Sequence, residues 1–359
     1  MKSLKNLNKP VRRILIRSTN WIGDAIMTSP AIRAIGNFFP HAHIALLAKP
    51  WVVPVFEHSP HIDHIMIYDE SHRHKGLKGK IQLINDLRAQ KFDTAILLQN
   101  AIEAAILVYF AGIPNRVGFN TDARGLLLNY PIDCTTEIKQ IHQTHYYVHM
   151  LEGAGITNAG FDLELHVGQS DRQYAWKRLN SYNNHPDIQW IGINPSATYG
   201  NAKQWFPERF AQLADRICEQ YRAGILIFGG PKDRELGENV RHMMHHPAIN
   251  LAGKTSLGQA MALIQQCQIF VTNDSGLMHI ACALNTPLIA IFGSTNPITT
   301  GPLGKNSHIV QVATPCSPCL LTDCPKTHHV CMDSVSVDRV FQTALRVLNS
   351  NLTPRKPIN

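Results

Sequence analysis

Apolar residues along this chain fall in two alternating patterns. Short unbroken runs bounded by Gly, Pro, Asn and Ser are followed by longer segments in which Leu, Ile, Val and Ala recur at helical spacing. The first pattern predicts buried strands and the second predicts helices packed on them. In the first half, strands are expected at 13–18, 44–48, 65–68, 94–99 and 116–118. Helices are expected at 25–38 with a break near Pro30, and at 52–57, 81–90, 101–111 and 142–153. After a helix at 171–181 a second series begins, with strands at 190–194, 224–228, 249–251, 269–272, 288–292 and 308–312. Its helices are expected at 207–221, 234–245, 257–266, 276–284 and 335–348. Strand and helix in alternation are the mark of βαβ units on a parallel sheet. Two such series predict an α/β chain of two Rossmann-like, doubly wound domains, each binding ligands at the carboxyl ends of its strands. The expected bounds are 1–168, 169–335, and a C-terminal helix and tail, 336–359, packing back on the N-terminal domain. The basic run 72–80 (HRHKGLKGK) interrupts the alternation and reads as a loop.

Length and composition narrow the function. A chain of 359 residues exceeds what one core usually serves, and 44% apolar with 17% charged residues is a globular balance. Apolar runs fall well short of the roughly 18 residues that span a bilayer. The first ten residues are basic and polar, and Ile14-Leu15-Ile16 is too short for a signal h-region, so the expected location is the cytoplasm. The net charge of +8, with Lys2, Lys5, Lys9, Arg12, Arg13 and Arg17 near the N-terminus, suits an anionic partner: a phosphorylated substrate, an acidic membrane surface or nucleic acid. No zinc-finger or RNP-like motif is present, so nucleic acid ranks last. Eight cysteines in a chain read as cytoplasmic argue against a disulfide framework.

Candidate chemistry gathers on one stretch, 270–283 (FVTNDSGLMHIACA), a strand end, a tight turn and a helix start. With Asp274 or Ser275 as cap, the first N–H groups of that helix and its dipole attract phosphate, and His279 one turn in offers another donor. Asp274 would repel a phosphate directly, so it is expected to cap the helix, or to hold His279 or a sugar hydroxyl. An ordinary capped crossover helix with a core histidine is the alternative. Small, polar loops also follow other strands of the second half, at 194–198 (NPSAT), 229–233 (GGPKD) and 293–297 (GSTNP), and together the four describe a nucleotide pocket. Lys203, just past the first loop, is a point charge able to reach a diphosphate, or else a surface lysine at a helix start. In the first half Asp24 closes a glycine-containing turn after the first strand. There it is either a general base aimed into the cleft or a helix N-cap. Cys316, Cys319, Cys324 and Cys331 form C-x2-C-x4-C-x6-C with His328 and His329 inside it. A bound metal, a redox-sensitive pair and reduced packing cysteines all remain open. Cys134, Cys218, Cys267 and Cys282 read as buried small hydrophobes.

These residues resemble a known family. The segments RSTNWIGDAIMTSPAIRAI (17–35), NPSATYGNAKQWFPERFAQLAD (194–215), FGGPKD (228–233) and VTNDSGLMHIACALNTPLIAIFGSTNP (271–297) are similar to those of the bacterial ADP-heptose:lipopolysaccharide heptosyltransferases, glycosyltransferase family 9. The cysteine segment CSPCLLTDCPKTHHVCM (316–332) looks like that of the enzymes adding the second heptose. The resemblance implies a GT-B fold, two Rossmann-like domains facing a central cleft. It also implies inverting, metal-independent transfer of L-glycero-D-manno-heptose from ADP-heptose to the lipopolysaccharide inner core, with no cofactor required. Its implied partners are the nucleotide sugar, a lipid A-linked core acceptor and the anionic inner-membrane surface, bound peripherally.

Position by position, Asp24 matches the proposed general base of a W-x-G-D turn and Lys203 the lysine on the diphosphate side. Asp274, Ser275, Gly276 and His279 match a donor-binding D-(S/T)-G-x-x-H motif. Thr198 stands where a hydroxyl contacts donor phosphates. Tyr199 replaces a second threonine beside it, and Asp233 is the candidate for holding a donor hydroxyl. Two rival readings stand beside this one: transfer of the first or third heptose, and a nucleotide-binding metalloprotein or redox sensor built on the cysteine cluster.

Overall fold

A computed structural model of the chain describes residues 4, 10–157, 160–182, 188–198, 200–326 and 329–349. Lys2, Lys5 and Lys9 of the basic N-terminus, Tyr199 and His328 lie outside the described residues. The chain divides into two compact units, Met1–His166 and Val167–Asn359.

The first unit is built on six strands: β1 (Arg13–Arg17), β2 (His43–Ala48), β3 (His64–Ile67), β4 (Thr94–Leu97), β5 (Asn115–Phe119) and β6 (Tyr130–Ile132). They lie in the order β3-β2-β1-β4-β5-β6, every pair parallel, with Leu15 of β1 opposite Ala45 on one side and Ala95 on the other. The second unit repeats the plan with β7 (Gln189–Asn194), β8 (Ala223–Ile227), β9 (Ala248–Asn250), β10 (Ile269–Asn273), β11 (Leu288–Phe292) and β12 (Ser307–Gln311), in the order β12-β11-β10-β7-β8-β9. Both sheets therefore carry the doubly wound order, and the strand sequence reverses between β1 and β4 in one and between β10 and β7 in the other. The central strands are apolar on both faces because helices cover both: β4 (TAIL) and β11 (LIAIF) are buried at every position.

Two expectations are corrected. β6 was not foreseen; it carries Pro131 and lies at the sheet edge, where the missing N–H is tolerated. The basic run 72–80 is not all loop, since the helix Gly76–Ala89 begins inside it. Two glycines mask that start from propensity reasoning, yet Gly79 is required: a Cβ there would lie 2.2 Å from the His74 carbonyl carbon. The C-terminal helix, Val337–Leu348, packs within the second unit. Its Val340, Phe341, Ala344, Val347 and Leu348 share one core with Phe210, Leu213 and Ile217 of the helix Pro207–Gln220 in the second unit. Arg216–Asp338 (3.1 Å) and Tyr221–Asn349 (2.6 Å) close its edges.

Candidate functional site

In the second unit the strand reversal brings the ends of β7 and β10 side by side, and two asparagines fasten them. Asn194, the last residue of β7, donates from Nδ2 to Thr272 Oγ1 at 2.9 Å and to Ser275 Oγ at 3.0 Å. Asn273, the last residue of β10 and fully buried, donates back to the Pro195 carbonyl at 2.9 Å and accepts the Trp205 N–H at 3.0 Å. Trp205 is itself buried, its indole N–H donating to the Val335 carbonyl at 2.8 Å.

Lys203 and Asp274 meet on this frame. The ammonium Nζ stands 2.8 Å from Asp274 Oδ2, with the side chains 15% and 5% exposed. Of the two expected caps, Ser275 and not Asp274 caps the helix. Ser275, in extended conformation, is the N-cap of the helix Gly276–Ala283 and accepts the Met278 N–H at 3.4 Å, while Asp274 neutralises Lys203. Gly276 is the first residue of that helix, and His279 lies buried one turn in. Helix N-terminus, cation and carboxylate thus converge at the carboxyl edge of the sheet, where a doubly wound unit binds its ligand.

The remaining candidates of this unit are less central. Thr198 is exposed on the loop after β7. Asp233 accepts the Gly230 N–H at 2.7 Å and so closes its own turn after β8. After β11, Ser294 and Thr295 are buried, and among the described residues their hydroxyls find no hydrogen-bond partner. Cys316, Cys319, Cys324 and Cys331 line one small cavity together with Ala202 and Ser294. All eight cysteines are unbridged, and burial, then the neighbouring three thiols of the cluster, push the Cys331 thiol up. Burial likewise pushes up Cys267 and Cys282, in keeping with their reading as core residues.

In the first unit Asp24 follows β1, the strand beside the reversal. The helix starts earlier than expected, at Ile22, so Asp24 stands within its first turn and is not the N-cap; that place belongs to Trp21, whose side chain caps nothing. The buried phenol of Tyr147, on the helix Gln143–Gly153, is held well above its usual range by burial and by the charge of Asp24. Asp24 itself is half-buried.

A second group at the carboxyl ends of β1, β2 and β3 was not foreseen. Arg17 is buried, pushed down to about 10 by burial, and donates to Asn20 Oδ1 at 2.9 Å. Lys49, buried too, lies 3.7 Å from the centre of the Tyr68 ring and pairs with Glu70. The signal available in the sequence was a charge set flush against an apolar run, in RILIRS and LLAK.

The comparisons with known proteins follow this geometry. The family description "Glycosyltransferase family 9 (heptosyltransferase)" matches residues 81–329. The chain is 29% identical over 342 residues to lipopolysaccharide heptosyltransferase 2 of Escherichia coli, covering 92% of this chain and 97% of that one. It is 32% identical over 317 residues to lipooligosaccharide heptosyltransferase 2 of Haemophilus ducreyi, covering 84% and 88%. The solved structure of E. coli ADP-heptose lipopolysaccharide heptosyltransferase II matches with a TM-score of 0.79 at 27% identity, over 94% of this chain and 99% of the other. A family 9 glycosyltransferase from Veillonella parvula has the same fold, with a TM-score of 0.83 at 24% identity over 95% and 98%. With two six-stranded Rossmann-like sheets of the GT-B type, this chain belongs to glycosyltransferase family 9, the heptosyltransferases.

Proposed function

We propose that the chain transfers L-glycero-D-manno-heptose from ADP-heptose to the heptose of the lipopolysaccharide inner core, with inversion and without a catalytic metal. The observation that carries this reading is the Lys203–Asp274 pair beside the capped helix at Ser275, on a chain whose relatives over most of its length are named heptosyltransferase 2.

In this reading the ADP lies at the carboxyl edge of the second sheet. Asp24 takes the proton from the acceptor hydroxyl, the oxygen attacks the anomeric carbon, and the bond from that carbon to the diphosphate oxygen breaks. Lys203, His279 and the N-terminus of the helix Gly276–Ala283 receive the charge that develops on the leaving diphosphate. Asp274 holds Lys203 in place until the diphosphate competes for it. Thr198 and Asp233 are offered as further contacts to the donor, Asp233 after release of its own turn. Among the described residues no helix is long and apolar enough to cross a membrane. The +8 net charge supports a cytoplasmic enzyme held at the anionic inner leaflet by electrostatics, which salt weakens.

The test is incubation with ADP-heptose and two lipopolysaccharide acceptors, one carrying a single inner-core heptose and one carrying none, with ADP release followed. The reading predicts release only with the first acceptor. Transfer to the heptose-free acceptor would overturn the acceptor assignment, and no release with either would overturn the reading as a whole.

A further inference from the structure

We propose that Cys316, Cys319, Cys324 and Cys331 are the four ligands of one thiophilic divalent cation, zinc or ferrous iron, which fastens the loop after β12 to the turn that carries Lys203.

Four thiols spaced over sixteen residues of chain surround a single cavity of about 40 Å³, room enough for an ion. Its lining also includes Ala202, Ser294, Lys326 and His329. The cysteines are not placed as packing residues usually are. Cys316, Cys319 and Cys324 are only half-buried and sit on irregular chain, while Cys331, buried, lies in the short helix Val330–Asp333. The connection from 312 to 326 is long and has no helix or strand. The buried Ser294 hydroxyl supplies an independent sign. It is 1% exposed, lines this cavity, and has no hydrogen-bond partner among the described residues, so the cavity is where its partner belongs.

The loop is also sewn to the candidate donor loops. The Leu320 N–H donates to the Ser294 carbonyl at 2.8 Å, and Ser317 Oγ donates to the Gly293 carbonyl. The Ala202 N–H donates to the Thr322 carbonyl at 3.0 Å, and Gly200 approaches so closely that an added Cβ would lie 2.1 Å from that same oxygen. Lys203 follows directly. A cation gripping the cysteines therefore holds the backbone on which the Lys203 ammonium depends.

The chemistry balances without an oxidant. Four thiols bind one divalent cation and release four protons, giving a tetrathiolate centre of net charge −2 that Lys326 partly offsets. Among the described residues no group of three His, Cys, Asp or Glu side chains stands ready to hold a metal as arranged, so binding must draw the loop inward. Sulfur ligands sit about 2.3 Å from zinc, and four of them leave no position open for substrate, which makes this a structural centre apart from the transfer step.

The experiment is metal analysis of the full chain, purified in reductant without chelator, followed by chelation and titration with cobalt(II). One metal per chain, thiolate-to-cobalt charge-transfer bands with the strong d–d absorption of a tetrahedral site, and a melting temperature that falls on chelation and recovers with cobalt are expected. The Cys319→Ser and Cys324→Ser variants should lose both metal and bands, while Cys134→Ser, in the other unit, keeps them. If the variants fail to fold, the wild-type titration still decides. Folded, reduced wild-type protein that holds far less than one metal and gives no thiolate bands with cobalt would overturn the proposal, as would full metal content in a Cys319→Ser/Cys324→Ser double variant. None of these readouts depends on heptosyl transfer, so the proposal fails or stands apart from the proposed function.

Discussion

The Lys203 ammonium lies 2.8 Å from the Asp274 carboxylate, joining the loop after β7 to the loop after β10 at the point where the strand order of the second sheet reverses. Removing one partner leaves the other in a site with little water. Breaking a fully buried pair costs about 3–5 kcal/mol, and the residual exposure of Lys203 reduces the expectation to about 2 kcal/mol for Lys203→Met or Asp274→Asn. The double variant should recover part of that loss in a denaturation cycle. ADP affinity separates the two residues: it should fall about tenfold in Lys203→Met and hold in Asp274→Asn, measured calorimetrically.

Asn273 is the second structural element of the site. Its side chain satisfies the Pro195 carbonyl and the Trp205 N–H, which flank Lys203 on either side in the chain. Asn273→Ala leaves both unpaired in a dry interior, and a loss of about 2–4 kcal/mol in urea unfolding is expected. Asn273→Asp keeps the acceptor but not the donor and should fall between that variant and wild type.

Stability in acid has an identifiable source in the second unit. Asp215, buried on the helix Pro207–Gln220, accepts the His245 N–H at 2.9 Å and the His246 N–H at 3.0 Å. Burial works to raise its carboxyl, but those two N–H groups and the two imidazoles prevail and hold it below the usual range. A depressed carboxyl contributes stability that is complete above the unfolded value, near 4, and is lost as pH falls through the lower folded value. Asp215→Asn should therefore cost about 1–2 kcal/mol at neutral pH and flatten the stability profile below about pH 4. An unchanged acid profile in that variant would assign the acid sensitivity to other groups.

Much of this molecule was legible in the sequence because parallel strands covered on both faces are unbroken apolar runs. β11 was expected at 288–292 and spans those residues. Pro131 hid β6, and Gly76 and Gly79 hid the start of a helix, because local propensity cannot register a sheet edge or a close backbone approach. The Lys203–Asp274 pair was beyond reach for a different reason. Both residues were singled out, but their contact spans 71 positions and follows from strand order, which no local pattern encodes. The reading of Asp24 as a helix cap failed because Trp21, an unusual cap, starts the helix three residues earlier.

Asp24 carries the central claim, and one measurement tests it most directly: turnover and donor affinity of Asp24→Asn, with ADP-heptose and the acceptor bearing one inner-core heptose. A general base contributes roughly 10²–10⁴ in rate, so turnover should fall by about that factor while the affinity for ADP-heptose stays close to that of wild type. Turnover near the wild-type rate, in a folded variant with the donor bound, would contradict the account and leave Asp24 as a residue of the first helical turn and nothing more.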